Sequence, residues 1–122
     1  MHEDSLVRSL LRQIDELVAD RGGGRVVSVC VEAGPLSGIE PTLFAEAFYR
    51  RREDHCAAKA ELQIEAVGLS CRCRDCTKDY IVEELRFVCP HCGGHAIDVL
   101  AGDAVVLKSF TLLPVEAAEI TS

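Results

Sequence analysis

Four of the seven cysteines fall in two pairs, Cys73-Arg74-Asp75-Cys76 and Cys89-Pro90-His91-Cys92, with twelve residues between them. Two residues between thiolates let one tight turn aim both sulfurs at a single tetrahedral ion, and two such turns close a four-sulfur site. Gly93-Gly94 lets the backbone curl beneath the second pair. A site closed by four thiolates has no open position for water. Its chemistry is therefore that of a structural Zn(II) site, supplying on the order of 10 kcal/mol toward folding. A redox pair, the competing reading, comes singly on a βαβ unit and would cycle through a disulfide without loss of fold. Cys71 could replace Cys73, although its one-residue spacing chelates less naturally. His91 and His95 are close enough in sequence to exchange with a thiolate as pH falls. Cys30 and Cys56 read as a packed thiol and a loop thiol.

The amino terminus carries a second set of donors. Met1-His2 offers an α-amine, an amide nitrogen and an imidazole, and the amide of Glu3 closes a four-nitrogen ring. Square-planar nitrogen suits Ni(II) or Cu(II), with the Glu3 carboxylate as an axial or alternative oxygen ligand. A helix starting here makes the amides available, because its first four N–H groups have no internal acceptor. The competing reading is a solvated histidine in a fraying terminus.

Both sets of donors need elements to hold them. Leu6, Val7, Leu10, Leu11, Ile14, Leu17 and Val18 have the spacing of one helical face, with Glu3 and Asp4 at its positive end and Gly22-Gly23-Gly24 ending it. Those glycines are not a phosphate loop, which needs a strand before them and Lys-Ser or Lys-Thr after. The Val-rich run Arg25 to Ala33 reads as a strand covered on both faces and stopped by Gly34-Pro35. A second helix starts at Pro41, with Leu43, Phe44, Ala47 and Phe48 as its apolar stripe and Arg50, Arg51 and Arg52 at its negative end. That triplet reads as a solvated terminus before it reads as a contact for an acidic partner. Ala60, Leu62, Ile64 and Ala66 alternate with Glu61, Gln63 and Glu65 as a strand with one wet face, and a third strand covers Ala104 to Leu113. The cysteine-rich stretch from Leu69 to Leu100 is an inserted module, below the ~40 residues that a hydrophobic core alone can hold. Tyr80, Ile81, Val82, Leu85, Phe87 and Val88, between the pairs, are expected to form a hairpin shielding the metal, which makes this a zinc ribbon.

Composition removes other classes. Thirteen Lys and Arg against twenty Asp and Glu give a net charge of -7, with Trp absent and six aromatic residues in all. Neither a phosphate backbone nor a base-stacking surface suits that balance, which counts against a nucleic-acid-binding ribbon, the alternative reading of the module. No apolar run approaches the ~20 residues of a membrane span, and the acidic opening is unlike a signal peptide, so the chain reads as cytoplasmic. No Ser/His/Asp set, carboxylate pair or nucleotide loop stands out, and an enzyme is not expected.

Taken in order, Met1-His2-Glu3 before an amphipathic helix, Gly34-Pro35-Leu36-Ser37-Gly38-Ile39-Glu40-Pro41, the CxxC and CPxC-Gly pairs, and Gly102-Asp103 leading into Leu107-Lys108-Ser109 make the chain resemble the HypA/HybF family of hydrogenase nickel-incorporation proteins. The resemblance implies an α/β nickel domain, residues 1–68 and 101–122, with two helices on a three-stranded mixed sheet, interrupted by a zinc ribbon at residues 69–100. It implies a metallochaperone that passes Ni(II) to the [NiFe]-hydrogenase large subunit precursor, working with the GTPase HypB, with some members serving urease maturation. It places nickel on Met1, His2 and Glu3 and zinc on Cys73, Cys76, Cys89 and Cys92. Gly68 and Gly102 are then expected as hinges of the ribbon. The segment Thr77-Lys78-Asp79-Tyr80 lacks the glycine that often follows the first pair in the family. Glu40 matches an acidic family position, as a partner contact or as a helix start.

Overall fold

A computed structural model describes residues 2–83 and 87–115, the side chain of His2 excepted. The element order is α1 (His2–Asp20), β1 (Arg25–Ala33), α2 (Pro41–Arg51), a 3-10 turn (Arg52–Asp54), β2 (Glu61–Ala66), β3 (Leu69–Cys73), β4 (Asp79–Val82), β5 (Ile97–Ala101) and β6 (Val105–Leu113). Two three-stranded sheets result, ordered β2-β1-β6, which is mixed, and β4-β3-β5. The chain divides into two compact units. One takes in the described parts of Met1–Val31, Ile39–Ile64 and Leu107–Ser122; the other takes in Glu32–Gly38 and Glu65–Val106.

In the first unit, Val7, Leu11 and Ile14 of α1 are fully buried and Leu10 and Val18 nearly so. At ~1.5–3 kcal/mol per buried aliphatic side chain, this face outweighs the helix's modest intrinsic preference. The helix stops on Gly22, whose φ of 88° is open to glycine. Gly23 N–H reaches back to Val18 O at 2.9 Å and Gly22 N–H to Ala19 O at 3.1 Å, closing a Schellman motif. Helix α2 packs on α1. It buries Phe44, Ala47 and Phe48, whereas Leu43, expected in the same stripe, is half exposed. Leu43 lies about 100° around the helix from Phe44, on its outer side. In β1, Val26 is buried on one parity and Val29 and Val31 on the other, the two-sided burial that its valines demand. The wet-face alternation holds from Ala60 to Ile64 and fails at Ala66, which is exposed.

In the second unit, β3 pairs antiparallel with β4, Leu69 opposite Val82 and Cys71 opposite Tyr80, and with β5, Cys73 opposite Ile97. The core is Leu69, Cys71, Cys73, Tyr80 and Cys89, flanked by Cys76, Val82, Ile97 and Val99. Among the described residues, the hairpin is therefore not made within the segment between the cysteine pairs. The first pair is itself the turn, so β3 before it and β4 after it become the paired strands. Ile81, Phe87 and Val88 point to solvent rather than shielding a metal, and Leu85 lies outside the described residues. Nor are Gly68 and Gly102 loose hinges. A side chain on Gly34 would overlap the backbone of Gly102, and one on Gly102 would meet Gly68 O at 2.7 Å, while Gly102 O accepts from Leu36 N–H at 3.1 Å. These glycines are needed for close backbone approach inside the second unit.

Candidate metal centre

The two cysteine pairs fold into the same device. Cys73 to Thr77 and Cys89 to Gly93 each form one tight turn, with Thr77 N–H on Cys73 O and Gly93 N–H on Cys89 O, both at 2.8 Å. The fifth residue of each turn is left-handed, Thr77 at φ 63° and Gly93 at φ 75°. Glycine takes that conformation freely; a β-branched threonine does so at a cost of about 1–2 kcal/mol. The Thr77 hydroxyl donates to Cys76 O at 2.6 Å, which offsets part of it. The missing glycine after the first pair thus alters the strain of the turn and leaves its geometry intact.

These turns bring Cys73, Cys76, Cys89 and Cys92 together, with all four sulfurs within 4.8 Å of one another. Cys73 and Cys92 Sγ are 3.6 Å apart, as are Cys76 and Cys89 Sγ. Thiolates 2.3 Å from a tetrahedral zinc are separated by about 3.8 Å, so the donor set and its spacing fit Zn(II). His91 contributes its backbone N–H, 3.4 Å from Cys89 Sγ. Burial opposes ionisation of Cys89, but the N–H groups of Cys92 and His91 and neighbouring thiols hold its pKa down at about 7. The Cys92 thiol, sharing protons with Cys73, Cys89 and Cys76, is pushed up to about 12. Cys89 is thus the thiol most readily ionised near neutral pH, and the cation would displace the remaining protons. Neither histidine ring belongs to the cluster.

Cys71 is excluded as a ligand. Alternation along β3 buries Leu69, Cys71 and Cys73 on one face, and Cys71 sits in the core opposite Tyr80, its Sγ 3.9 Å from Leu69 O. Burial raises its pKa. Cys56 is a different case from the free loop thiol that its sequence position suggests. Burial and the Asp15 carboxylate push its pKa up to about 12, and its N–H donates to Asp15 Oδ1 at 3.1 Å. His55 Nδ1 lies 2.5 Å from Asp15 Oδ2. Sequence reading misses this group because its members lie forty residues apart; the only local trace is a carboxylate continuing the stripe of Arg8 and Arg12.

At the amino terminus, Met1 and the His2 side chain lie outside the described residues, so the amine and the imidazole expected as donors are not placed, whereas the amides of His2 and Glu3 open α1. The Glu3 side chain is placed as well. Its Oε2 accepts the Glu40 N–H at 3.0 Å, while the Glu40 carboxylate caps α2 by accepting from Leu43 N–H at 2.9 Å. Glu40 therefore has a helix-start role. Asp4, next along, pairs with Arg51 and Arg50, and hydrogen bonding from Arg51 first of all holds its pKa below the usual value. Two of the triplet's three cations thus meet an acid of their own chain.

Two helices on a mixed sheet, joined to a module built round four convergent thiols, define a small protein that holds a metal structurally. Residues 1–112 match the family described as hydrogenase/urease nickel incorporation, metallochaperone, HypA. The hydrogenase maturation factor HypA of Aquifex aeolicus is 40% identical over 112 residues, covering 92% of this chain and 97% of that protein. The factor of the same name from Geotalea uraniireducens is 35% identical over 108 residues, 88% of this chain and 96% of the relative. The solution structure of the nickel metallochaperone HypA from Helicobacter pylori superposes with a TM-score of 0.76 at 28% identity, covering 93% of this chain and 99% of that one. The chain belongs to the HypA family of nickel-incorporation metallochaperones that act in hydrogenase maturation. Nickel is the family's cargo, and the four-cysteine cluster fits a structural zinc site. Among the described residues, no helix is long and apolar enough to cross a membrane.

Proposed function

We propose that this chain binds one Ni(II) through the Met1 amine, the amides of His2 and Glu3 and the His2 imidazole, and delivers it in the cytoplasm to the large subunit precursor of a [NiFe]-hydrogenase. The HypB GTPase is its working partner, and urease maturation proteins are further candidates. The chain has no catalytic role of its own. Residues 1–68 and 101–122 carry the nickel, and residues 69–100 hold zinc on Cys73, Cys76, Cys89 and Cys92.

The observation that carries this reading is the start of α1. The helix begins at His2, so the first amides have no helical acceptor, and the Glu3 carboxylate anchors that start to the start of α2 through Glu40 N–H. The proposed nitrogen donors thus lie beside a residue whose side chain is held. Glu3 Oε2 is engaged by that contact, so the nitrogen atoms are read as the principal ligands and the Glu3 carboxylate as an axial or alternative one. A site at a chain end encloses its ion little, and this suits hand-over. The name of the Helicobacter pylori relative agrees with the cargo.

A Ni(II) titration of zinc-loaded protein with a native terminus tests the assignment. One equivalent is expected, and it should be lost in His2→Ala and in a form carrying extra residues before Met1, with zinc content unchanged. Nickel binding undiminished in both variants would move the site away from the terminus.

A further inference from the structure

Along α1, Ser5, Arg8, Arg12 and Asp15 recur at intervals of three and four, one stripe on the polar side of the helix. Asp15 is committed to His55 and Cys56. The His55 ring so held joins Ser5, Arg8 and Arg12 in lining an open hollow of about 500 Å³. A neighbouring hollow of about 330 Å³ shares Arg8 and His55 and is also lined by Arg50 and Arg51 at the end of α2 and by Glu53 and Asp54.

The cations round these hollows differ in availability. Arg51 and Arg50 are taken by Asp4. Arg52 donates to Ala60 O and lies 4.6 Å over the Tyr49 ring. Arg8 and Arg12 are exposed, and neither makes a hydrogen bond or ion pair among the described residues; Arg8 only feels the field of Asp4 one turn away. No carboxylate lines the hollow that they share with Ser5 and His55. In a chain of net charge -7, two cations without an acid of their own thus face one hollow.

We propose that the Ser5–Arg8–Arg12–His55 hollow is a docking site for an acidic segment of a protein partner. Arg8 and Arg12 are one helical turn apart, about 6 Å along the axis. Alternate side chains of an extended strand are about 6.6 Å apart, so carboxylates at every second position meet the two guanidinium groups in register. A compact phosphate asks instead for donors converging on one point, usually backbone N–H groups, and the flank of a helix supplies none. The Ser5 hydroxyl and the His55 ring extend the polar lining at either end. A segment docked here lies on the helix that begins at His2, beside the terminus that carries the cargo. The site itself stands on the geometry of the first unit alone and does not require nickel there.

The test uses the zinc-loaded full chain and a fluorescent peptide of alternating Glu and Gly, followed by anisotropy at low and at physiological salt. Saturable, salt-sensitive binding is expected, weakened about tenfold in Arg8→Ala/Arg12→Ala. It should be unchanged in the charge-matched control Arg25→Ala/Lys59→Ala, with nickel and zinc stoichiometry retained in both. Ser5→Asp, which adds a carboxylate to the hollow at a helix start that tolerates one, must also weaken binding. The proposal is overturned by absence of binding, by equal binding in the Arg8/Arg12 variant, or by equal loss in the control. It is likewise overturned if inorganic phosphate or a single-stranded oligonucleotide displaces the peptide at equal or lower concentration, since the hollow would then be a phosphate site.

Discussion

Thr77 shows how one residue can carry strain without altering a site. Its φ of 63° is forced by the same turn that Gly93 makes without penalty, and the sulfurs still converge. Thr77→Gly should therefore stabilise the zinc-loaded second unit, by about 1 kcal/mol once the extra backbone freedom of glycine is set against the relief. A thermal or denaturant midpoint that fell would mean that the Thr77 hydroxyl on Cys76 O is worth more than the strain. Asp15 carries a pH signature of known sign. Burial works to raise its pKa, but hydrogen bonds from the Cys56 thiol, the His55 ring and Cys56 N–H prevail and lower it below 3.8. A carboxylate depressed in the folded state contributes stability above its unfolded pKa and loses it as pH falls through the folded value. Asp15→Ala should cost about 1 kcal/mol at neutral pH, discounted for its partial exposure, and the gap from the native chain should close below about pH 4. Unfolding of the helical signal across that range reads the difference directly. The same variant should raise the alkylation rate of Cys56, which the native carboxylate helps to hold at a pKa of about 12.

Among the elements, the glycine crossing is the place where sequence tolerance is least. Gly34, Gly68 and Gly102 pack backbone against backbone, and a methyl on Gly34 has only main chain to push against. Gly34→Ala is expected to cost about 2 kcal/mol or more, seen as loss of amide protection around Leu36, whose N–H donates to Gly102 O at 3.1 Å. A neutral outcome would show that the crossing can open. No periodicity announces that contact, because glycines distant in sequence meet only in the fold. The elements that were legible owe it to local physics. The i, i+3, i+4 spacing of Leu6 to Val18 sets α1, and two residues between thiols set each metal turn. Strand β3 has its own alternation, Leu69, Cys71 and Cys73 inward with Ser70 half-covered and Arg72 outward, but two of its three inward residues are cysteines that spacing rules treat as ligands. Spacing alone therefore puts the hairpin between the pairs, whereas the fold puts it around the first of them. Leu43 shows the complementary limit. A stripe read from sequence has soft edges, and the packing of α2 on α1 decides which neighbour falls outside it.

At the scale of the whole molecule, the two units rest on different forces. The first is held by apolar burial, with α1, α2 and β1 all contributing fully buried aliphatic or aromatic side chains. The second has a core of five buried residues, three of them cysteines and two of those, Cys73 and Cys89, in the zinc cluster. Removing zinc takes roughly 10 kcal/mol or more of binding free energy from the second unit and leaves four thiols whose shared protons hold them together only weakly. Stripping zinc under reducing conditions should therefore abolish amide protection in β3, β4 and β5 while α1 and α2 keep theirs. Strands β1, β2 and β6 pass from one unit into the other, so their residues in the second unit, Glu32, Ala33, Glu65, Ala66, Val105 and Val106, should lose protection while Val26, Val29 and Ile64 retain it. The nickel equivalent proposed for the terminus should survive the same treatment, because the proposed donors belong to the unit that stays folded. Hydrogen exchange with and without zinc, followed by a nickel titration of the stripped protein, reads both. Loss of protection throughout would make the zinc a cofactor for folding of the entire chain. Loss of nickel with the first unit still protected would place at least one nickel ligand among the cysteines.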